Sequence, residues 1–195
     1  MQNSRYSTTR IDEFTQSRMT SRGSLTPQED VDMSLRLEDI EKIRQLKYRY
    51  WRSIDTGDIA ALEELFTEDV RVDYIGGSYR WQVQGRDKII ESIGNSFNAN
   101  AVACHTGHHP EIEVLTETTA KGIWYLTDIF INLKDKIRTT GSALYRDRYL
   151  KQNGVWRICE TTYERVYEEV EKFETMPNLT AHWLKRVPPP LAKAG

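Results

Sequence analysis

Apolar positions in the first third of the chain follow the period of α-helices. The positions that recur at steps of three and four, and so share one helix face, are Ile40, Ile43, Lys47, Tyr50 and Ile54. Gly57 is placed to end this helix in the left-handed conformation, and Asp58 can cap a second helix over residues 59–66. A third helix is predicted over residues 85–97, after a short apolar segment at 70–77.

Beyond Asn98 the pattern changes to the two-residue alternation of β-strands. The four alternating segments cover residues 103–115, 119–133, 138–150 and 155–170. Turn residues separate them, and Asn153-Gly154 is a strong hairpin signal. Helices followed by a run of antiparallel strands predict an α+β fold, with three N-terminal helices packed on a curved, mainly antiparallel sheet.

The same pattern divides the chain into three parts. Residues 1–34 are rich in Ser, Thr, Gln, Arg and Asp, and they have too few large apolar groups to offset the entropy of ordering. They are predicted to form a flexible N-terminal arm or to dock on a neighbour. Residues 35–172 are predicted to form a single domain, and residues 173–195, with three consecutive prolines, are predicted to be an extended C-terminal arm.

Composition argues against nucleic acid and membranes as binding partners. The chain has 27 basic and 29 acidic residues, a formal net charge of -2, and therefore no basic stripe for nucleic acid. No segment has the apolar length of a membrane span, and the N-terminus lacks the apolar stretch of a secretory signal. Cys104 and Cys159 form no CxxC pair, which fits a reducing cytoplasm.

Two charged residues fall on apolar strand faces. In residues 119–133 the alternation puts Asp128 on the same side as Trp124 and other large apolar groups. In residues 155–170, Arg165 shares a face with Tyr163 and Tyr167, while Glu168 falls on the opposite face. A carboxylate turned inward requires a donor, such as a histidine or an arginine. An alternative is that Asp128 and Arg165 form a purely structural ion pair.

Three further polar residues are candidates for chemistry. Tyr50 shares the buried stripe of the first helix, so its hydroxyl is expected to point inward, although a buried tyrosine is often only core packing. Asp55 lies near the end of that helix, where the helix dipole disfavours a negative charge and a hydrogen-bond donor should compensate. The pattern leaves the facing of His105 open.

A metal site is a weaker alternative. His105, His108, His109 and Glu111 are close in sequence and include zinc-ligand types. In an extended chain, however, His108 and His109 point to opposite faces, and Pro110 interrupts the segment. No metal site is therefore predicted.

Four stretches resemble the SnoaL-like dehydratases of the nuclear-transport-factor-2-like superfamily, most closely the bacterial bile acid 7α-dehydratases. They are HTGHHPEI from His105, ETTAKGIWYLTD ending at Asp128, YWRSID from Tyr50, and ETTYER ending at Arg165. The resemblance covers residues 37–169 approximately. Scytalone dehydratase and ketosteroid isomerase are more distant relatives in fold.

The resemblance implies a cone-shaped fold that encloses an apolar pocket, frequent assembly into dimers or trimers, and cofactor-independent dehydration. By analogy, Tyr50, His105 and Asp128 are catalytic, with Asp128 orienting the histidine. Asp55 and Arg165 are supporting residues, and Trp124 and Tyr163 are candidates for binding a flat polycyclic substrate, although such aromatic residues are often only core. The loop at residues 76–84 departs from the family pattern, so a bile acid is not implied.

These residues predict elimination of water from a hydroxylated polycyclic ketone of steroid or polyketide type. His105 is expected to act as base and then acid, while Tyr50 donates a hydrogen bond to the substrate carbonyl or to the leaving hydroxyl. Two alternatives remain open. An isomerase or cyclase would use the same pair without loss of water, and a non-catalytic small subunit of a ring-hydroxylating oxygenase would share the fold.

Overall fold

A computed structural model of the chain describes the backbone of residues 27–187 and the side chains of residues 36–187. The helices are α1 (Pro27–Thr56), α2 (Ile59–Leu65) and α3 (Arg86–Ser96), with a short 3-10 helix at Leu184–Arg186. The strands are β1 (Phe66–Ile75), β2 (Arg80–Gln84), β3 (Ala101–Val114), β4 (Thr119–Asn132), β5 (Ile137–Gln152) and β6 (Val155–Lys172). The α+β class predicted from the sequence is confirmed.

One six-stranded curved sheet forms the body of the fold. Its strand order is β2-β1-β6-β5-β4-β3, and every neighbouring pair is antiparallel except β1 and β6. The long meander from β3 to β6 is the series of four alternating segments in the sequence. Strands β1 and β2 lie between α2 and α3, so the helices do not all precede the sheet.

Local signals in the sequence mark the turns correctly. Gly57 has a φ of 67° and ends α1, and the Asp58 side chain accepts a hydrogen bond of 3.1 Å from the backbone N–H of Ala61. Asn153 and Gly154 both have positive φ, as the tight turn between β5 and β6 requires. Of these signals, the turn at Asn153 and Gly154 joins β5 to β6 and sets the register at that end of the hairpin.

The core lies between α1 and the concave face of the sheet. Ile43, Tyr50 and Ile54 are buried as their spacing predicts, and they belong to one apolar cluster with residues of the strands. Tyr74 of β1 and Tyr145 of β5 join this cluster. Both the helix stripe and the inner strand residues therefore surround the same volume.

A bulge in β6 changes which side chains face that volume. Arg165 pairs with Ala143, whereas Tyr167 pairs with Ser142, so one extra residue is inserted in β6 between them. After this bulge the alternation reverses: Tyr167 is 55% exposed, and the Glu168 side chain is only 6% exposed. The prediction that Tyr167 faces inward and Glu168 outward is therefore wrong.

The predicted arms are described only in part. Helix α1 begins at Pro27, before the apolar pattern starts, and residues 1–26 lie outside the described residues. In the C-terminal segment, Nε2 of His182 lies 2.8 Å from the carbonyl oxygen of Ala101, and Leu184 is buried. The prolines at 188–190 also lie outside the described residues. Within residues 27–187 no helix has the length and apolar character needed to cross a membrane.

Candidate active site

A cavity of about 410 Å³ opens on the concave side of the sheet. Five of the residues predicted from the sequence line it, namely Tyr50, His105, Asp128, Tyr163 and Arg165. Much of the remaining wall is aromatic and includes Tyr74, Trp81, Phe97, Phe130 and Tyr145. The cavity thus combines a largely apolar wall with a few convergent polar groups, as small-molecule sites do.

His105 is held by Asp55, the carboxylate at the end of α1. The imidazole Nδ1 lies 2.6 Å from one carboxylate oxygen of Asp55, and the backbone N–H of His105 donates to the other at 2.8 Å. A carboxylate can only accept hydrogen bonds, so Nδ1 carries the proton. Nε2 has no hydrogen bond to any described residue, which leaves it free to act as a base.

This arrangement corrects the predicted partner of the histidine. His105 and Asp128 are directly opposite each other on β3 and β4, but no hydrogen bond joins their described side chains. Both oxygens of Asp128 instead accept from the Arg165 guanidinium, at 2.5 and 2.9 Å. The prediction that Asp128 orients His105 is wrong, and Asp55 occupies that position.

Arg165 contacts a second carboxylate that the sequence pattern did not place here. Its Nε lies 3.4 Å from a carboxylate oxygen of Glu168, which the bulge in β6 turns inward. The side chains of Asp128, Arg165 and Glu168 are each less than a tenth exposed. Burial lowers the pKa of Arg165, but its hydrogen bonds to Asp128 and the charge of Asp128 outweigh burial, so its pKa lies above the ordinary value.

Tyr50 begins a chain of hydroxyl groups along the cavity wall. Its hydroxyl lies 2.7 Å from that of Tyr74, which in turn lies 3.3 Å from Thr161 Oγ1. Burial raises the pKa of Tyr50 above the ordinary value of a phenol, and it does the same for Tyr74. Both side chains therefore remain neutral hydrogen-bond donors at physiological pH.

A buried ion pair lies beneath Tyr50. The Lys47 ammonium is 2.7 Å from Asp147, and both side chains are fully inaccessible to solvent. The same ammonium is 4.5 Å from the ring centroid of Tyr50 and 3.9 Å from that of Tyr145. The pair therefore supports two of the aromatic side chains that line the cavity.

Of the two aromatic residues predicted to bind substrate, one lines the cavity and the other lies in the core. Tyr163 lines the cavity, stacks on Tyr74 at a centroid distance of 4.1 Å, and its hydroxyl contacts that of Tyr79. Trp124 is not part of the cavity wall. It is fully buried, and its indole N–H donates to the Tyr149 hydroxyl at 2.9 Å. Trp124 is a core residue in this structure.

The neighbouring histidines are separate from this site. His108 and His109 contact each other through their Nδ1 atoms at 2.7 Å, and the His108 ring stacks on Tyr125, which is 40% exposed. Within the described part of the chain, no three metal-ligand residues come together. His105 thus belongs to the cavity without its sequence neighbours.

Sequence reasoning missed Tyr74, Tyr145 and Glu168. Tyr74 could have been found, because Val70, Val72 and Tyr74 alternate on one face of β1 and all three are buried. Glu168 had no comparable signal, since its position depends on a bulge between β5 and β6.

Comparison with protein families gives a match to the SnoaL-like domain over residues 35–162. The match runs from residue 35, within α1, to residue 162, within β6, and it covers every element between them. It therefore includes every cavity residue except Tyr163 and Arg165.

Solved structures with the same fold include three of different kinds. A protein from Novosphingobium aromaticivorans, provisionally named a scytalone dehydratase, is 20% identical, with 77% of this chain and 99% of that chain covered and a TM-score of 0.62. A hexachlorocyclohexane dehydrochlorinase, LinA type 3, from Novosphingobium barchaimii is 16% identical over 76% and 99%, with a TM-score of 0.62. A protein of unknown function from Mycobacterium tuberculosis is 26% identical over 73% and 78%, with a TM-score of 0.57.

Proposed function

Because this chain belongs to the SnoaL-like domain family, we propose that it is a cofactor-independent dehydratase. Its substrate is a hydroxylated polycyclic ketone of steroid-like or polyketide-like size, and the reaction is the elimination of water. The catalytic residues are His105 and Tyr50, with Asp55 orienting the histidine.

The observation that carries this proposal is the hydrogen bonding of His105. An imidazole whose Nδ1 is held by Asp55 at 2.6 Å presents its other nitrogen in the neutral, basic form. Imidazole is a common general base in enzymes because it can both accept a proton and return it. Asp55 also stabilises the imidazolium that forms when the base takes up the proton.

The elimination needs two further groups in addition to the base. Nε2 of His105 removes the proton from the carbon next to the substrate carbonyl, and the Tyr50 hydroxyl donates to the carbonyl oxygen as the enolate forms. The enolate then expels the hydroxyl group on the β carbon. The imidazolium returns the proton to that hydroxyl, so that water leaves and the enzyme recovers its starting state.

Asp128 and Arg165 support the cavity wall in this scheme. Their bidentate pair holds β4 and β6 side chains together across β5. The names of the structural relatives agree with an elimination, because dehydration and dehydrochlorination both remove a proton and a leaving group from adjacent carbons. At 16–20% identity these relatives are similar in fold, and their reactions support the proposal by analogy.

Product mass tests the proposal. Purified chain, with no added cofactor, is incubated with a panel of hydroxylated steroid and polyketide ketones, and the products are analysed by mass spectrometry. We expect a product lighter by one water. A product of unchanged mass would show an isomerase or cyclase instead. Absence of turnover by the chain alone, with turnover appearing only beside a partner subunit, would support the non-catalytic alternative.

We also propose that the chain forms a homo-oligomer, either a dimer or a trimer. Several large apolar side chains on the sheet are exposed, namely Ile129, Val166, Tyr167 and Val170. Large apolar side chains that remain exposed in a single chain are often buried in a protein interface. Light scattering coupled to gel filtration would give the mass, and a monomer at micromolar concentration would contradict this proposal.

The cytoplasm is the proposed location. Cys104 is exposed, Cys159 is partly buried, and both thiols are free. Free exposed thiols are typical of reducing compartments. Fractionation of expressing cells would test this, and recovery outside the cytoplasm would contradict it.

A further inference from the structure

The charges around the cavity form an ordered row across four strands. His105 on β3 pairs with Asp128 on β4, Asp128 pairs with Gly141 on β5, and Gly141 pairs with Glu168 on β6. Gly141 has no side chain, and a Cβ at this position would lie 2.5 Å from the backbone oxygen of Tyr167 and 3.2 Å from Nη1 of Arg165. The absent side chain therefore lets the β6 backbone lie close to β5 and leaves room for the guanidinium.

Arg165 is paired with both of these carboxylates. Nη1 and Nη2 donate to the two oxygens of Asp128, and Nε lies 3.4 Å from Glu168. An arginine that binds a substrate anion instead turns a free N–H fork toward it. The fork formed by Nη1 and Nη2 is occupied by Asp128, and the charge of the guanidinium is already balanced by two protein carboxylates.

The balance of charge around the cavity is negative. Three carboxylates, Asp55, Asp128 and Glu168, are matched by one permanently charged base, Arg165. The other nearby cation, Lys47, lies beneath the wall and is paired with Asp147. Asp128 and Arg165 line the cavity together with His105, whereas Asp55 and Glu168 lie behind them, and the rest of the wall is aromatic, aliphatic or hydroxylic. A ligand anion would enter a field of its own sign in a partly buried site.

We propose that this site selects uncharged planar ligands and excludes those that carry a carboxylate or phosphate inside the cavity. Glu168 is the residue that determines this specificity, since it supplies the second negative charge on Arg165. This inference rests on the cavity being the substrate site of the proposed function. It adds that the reacting part of the substrate is a neutral ring system.

Calorimetric binding of two shape-matched probes tests the inference. At about pH 7, 2-naphthol is neutral and 2-naphthoate is an anion, and two fused rings fit a cavity of about 410 Å³. We expect the wild-type chain to bind 2-naphthol at least about tenfold more tightly than 2-naphthoate. In Glu168→Gln the affinity for 2-naphthoate should rise by about tenfold or more, while that for 2-naphthol changes less than about threefold.

Glu171→Gln is the matched control, because Glu171 is on the same strand but is half-exposed and paired with Arg138, which is itself partly exposed. It should leave both affinities unchanged. If Glu168→Gln does not fold, Asp128→Asn removes the same charge from Arg165 and should give the same shift.

Tight binding of 2-naphthoate by the wild-type chain would overturn the inference, as would failure to bind 2-naphthol or an equal shift in Glu171→Gln. The assay involves no turnover. A negative binding result would overturn this inference but not the proposed dehydration, which product mass tests separately. Absence of dehydration would likewise leave the binding result unchanged.

Discussion

Asp55 determines which ring nitrogen of His105 is left to act as a base. Position 55 is at the end of α1, where the helix dipole disfavours a carboxylate, and the donors that compensate are the ring and the backbone N–H of His105. The sequence predicted that Asp55 needed a donor, and it predicted His105 as a candidate base. It could not predict that they meet, because residues fifty positions apart are joined only by how α1 packs on β3.

Asp55→Asn tests this partnership. The amide keeps the size of the side chain but removes the charge that holds the proton on Nδ1 and stabilises the imidazolium. We expect kcat on a substrate of the wild-type enzyme to fall by about 10²–10⁴, with a small change in KM. Asp58→Asn is the control, since asparagine also caps a helix. Equal kcat values in Asp55→Asn and wild type would contradict the assigned role.

The Lys47–Asp147 pair should matter for stability because it is completely buried. Lys47→Met leaves an unpaired carboxylate in the core, so the free energy of unfolding should fall by about 3–5 kcal/mol in urea denaturation. Lys47→Met combined with Asp147→Asn removes both charges and should recover most of the loss. Lys121→Met, which breaks an exposed pair with Glu113, should cost less than about 1 kcal/mol. A similar small loss in Lys47→Met would contradict this account.

At the scale of elements, the contact between α1 and β3 shapes the site. Trp51 of α1 packs against the backbone of Gly107, and a Cβ there would lie 1.9 Å from the Trp51 ring. The irregularity in β3 falls at residues 109–110, where His109 has a φ of 49°, and Gly107 pairs regularly with Leu126. Its absent side chain is needed for close approach of the helix.

Gly107→Ala should therefore destabilise the fold. Trp51 is 3% exposed and packs edge-on against Trp124 and Tyr145, so it has little room to move. We expect a loss of about 1–3 kcal/mol in the free energy of unfolding. Thr106→Ala, at the exposed neighbouring position, should cost less than about 1 kcal/mol. Equal losses in both variants would show that the helix does not approach β3 this closely.

The elements were more predictable than their contacts. Alternation and turn residues located the four long strands because each signal is local in the chain. The parallel pairing of β1 with β6 and the bulge after Arg165 are long-range features, since each is set by a partner strand. The error at Glu168 follows directly, because one inserted residue reverses every later side chain.

At the scale of the whole molecule, the aromatic interior makes stability sensitive to alkali. Burial raises the pKa of Tyr50, Tyr74, Tyr145, Tyr149 and Tyr163, whereas these phenols ionise near pH 10 in the unfolded chain. Below about pH 10 both states hold these protons. Above it only the folded state does, so the free energy of unfolding should fall as pH rises.

Ultraviolet titration checks this expectation. The five buried phenols should ionise only as the protein unfolds, seen as a phenolate absorbance step that coincides with loss of circular dichroism. Ionisation of all tyrosines near pH 10 with the fold intact would contradict the buried positions of these rings.

The overall architecture followed from the sequence because helix and strand periods, turn chemistry and a family resemblance all agreed. The cavity is a property of the whole fold, since α1, α3 and all six strands contribute to its wall. The proposed chemistry needs this enclosure, which keeps a neutral phenol and a neutral imidazole facing one substrate.

The most direct test of the central claim is the turnover of His105→Ala on a hydroxyketone that the wild-type enzyme dehydrates. We predict that kcat falls by about 10²–10⁴ while circular dichroism and the unfolding midpoint remain close to wild type. Full turnover by His105→Ala, with release of water undiminished, would contradict the assignment of this cavity as the site of elimination.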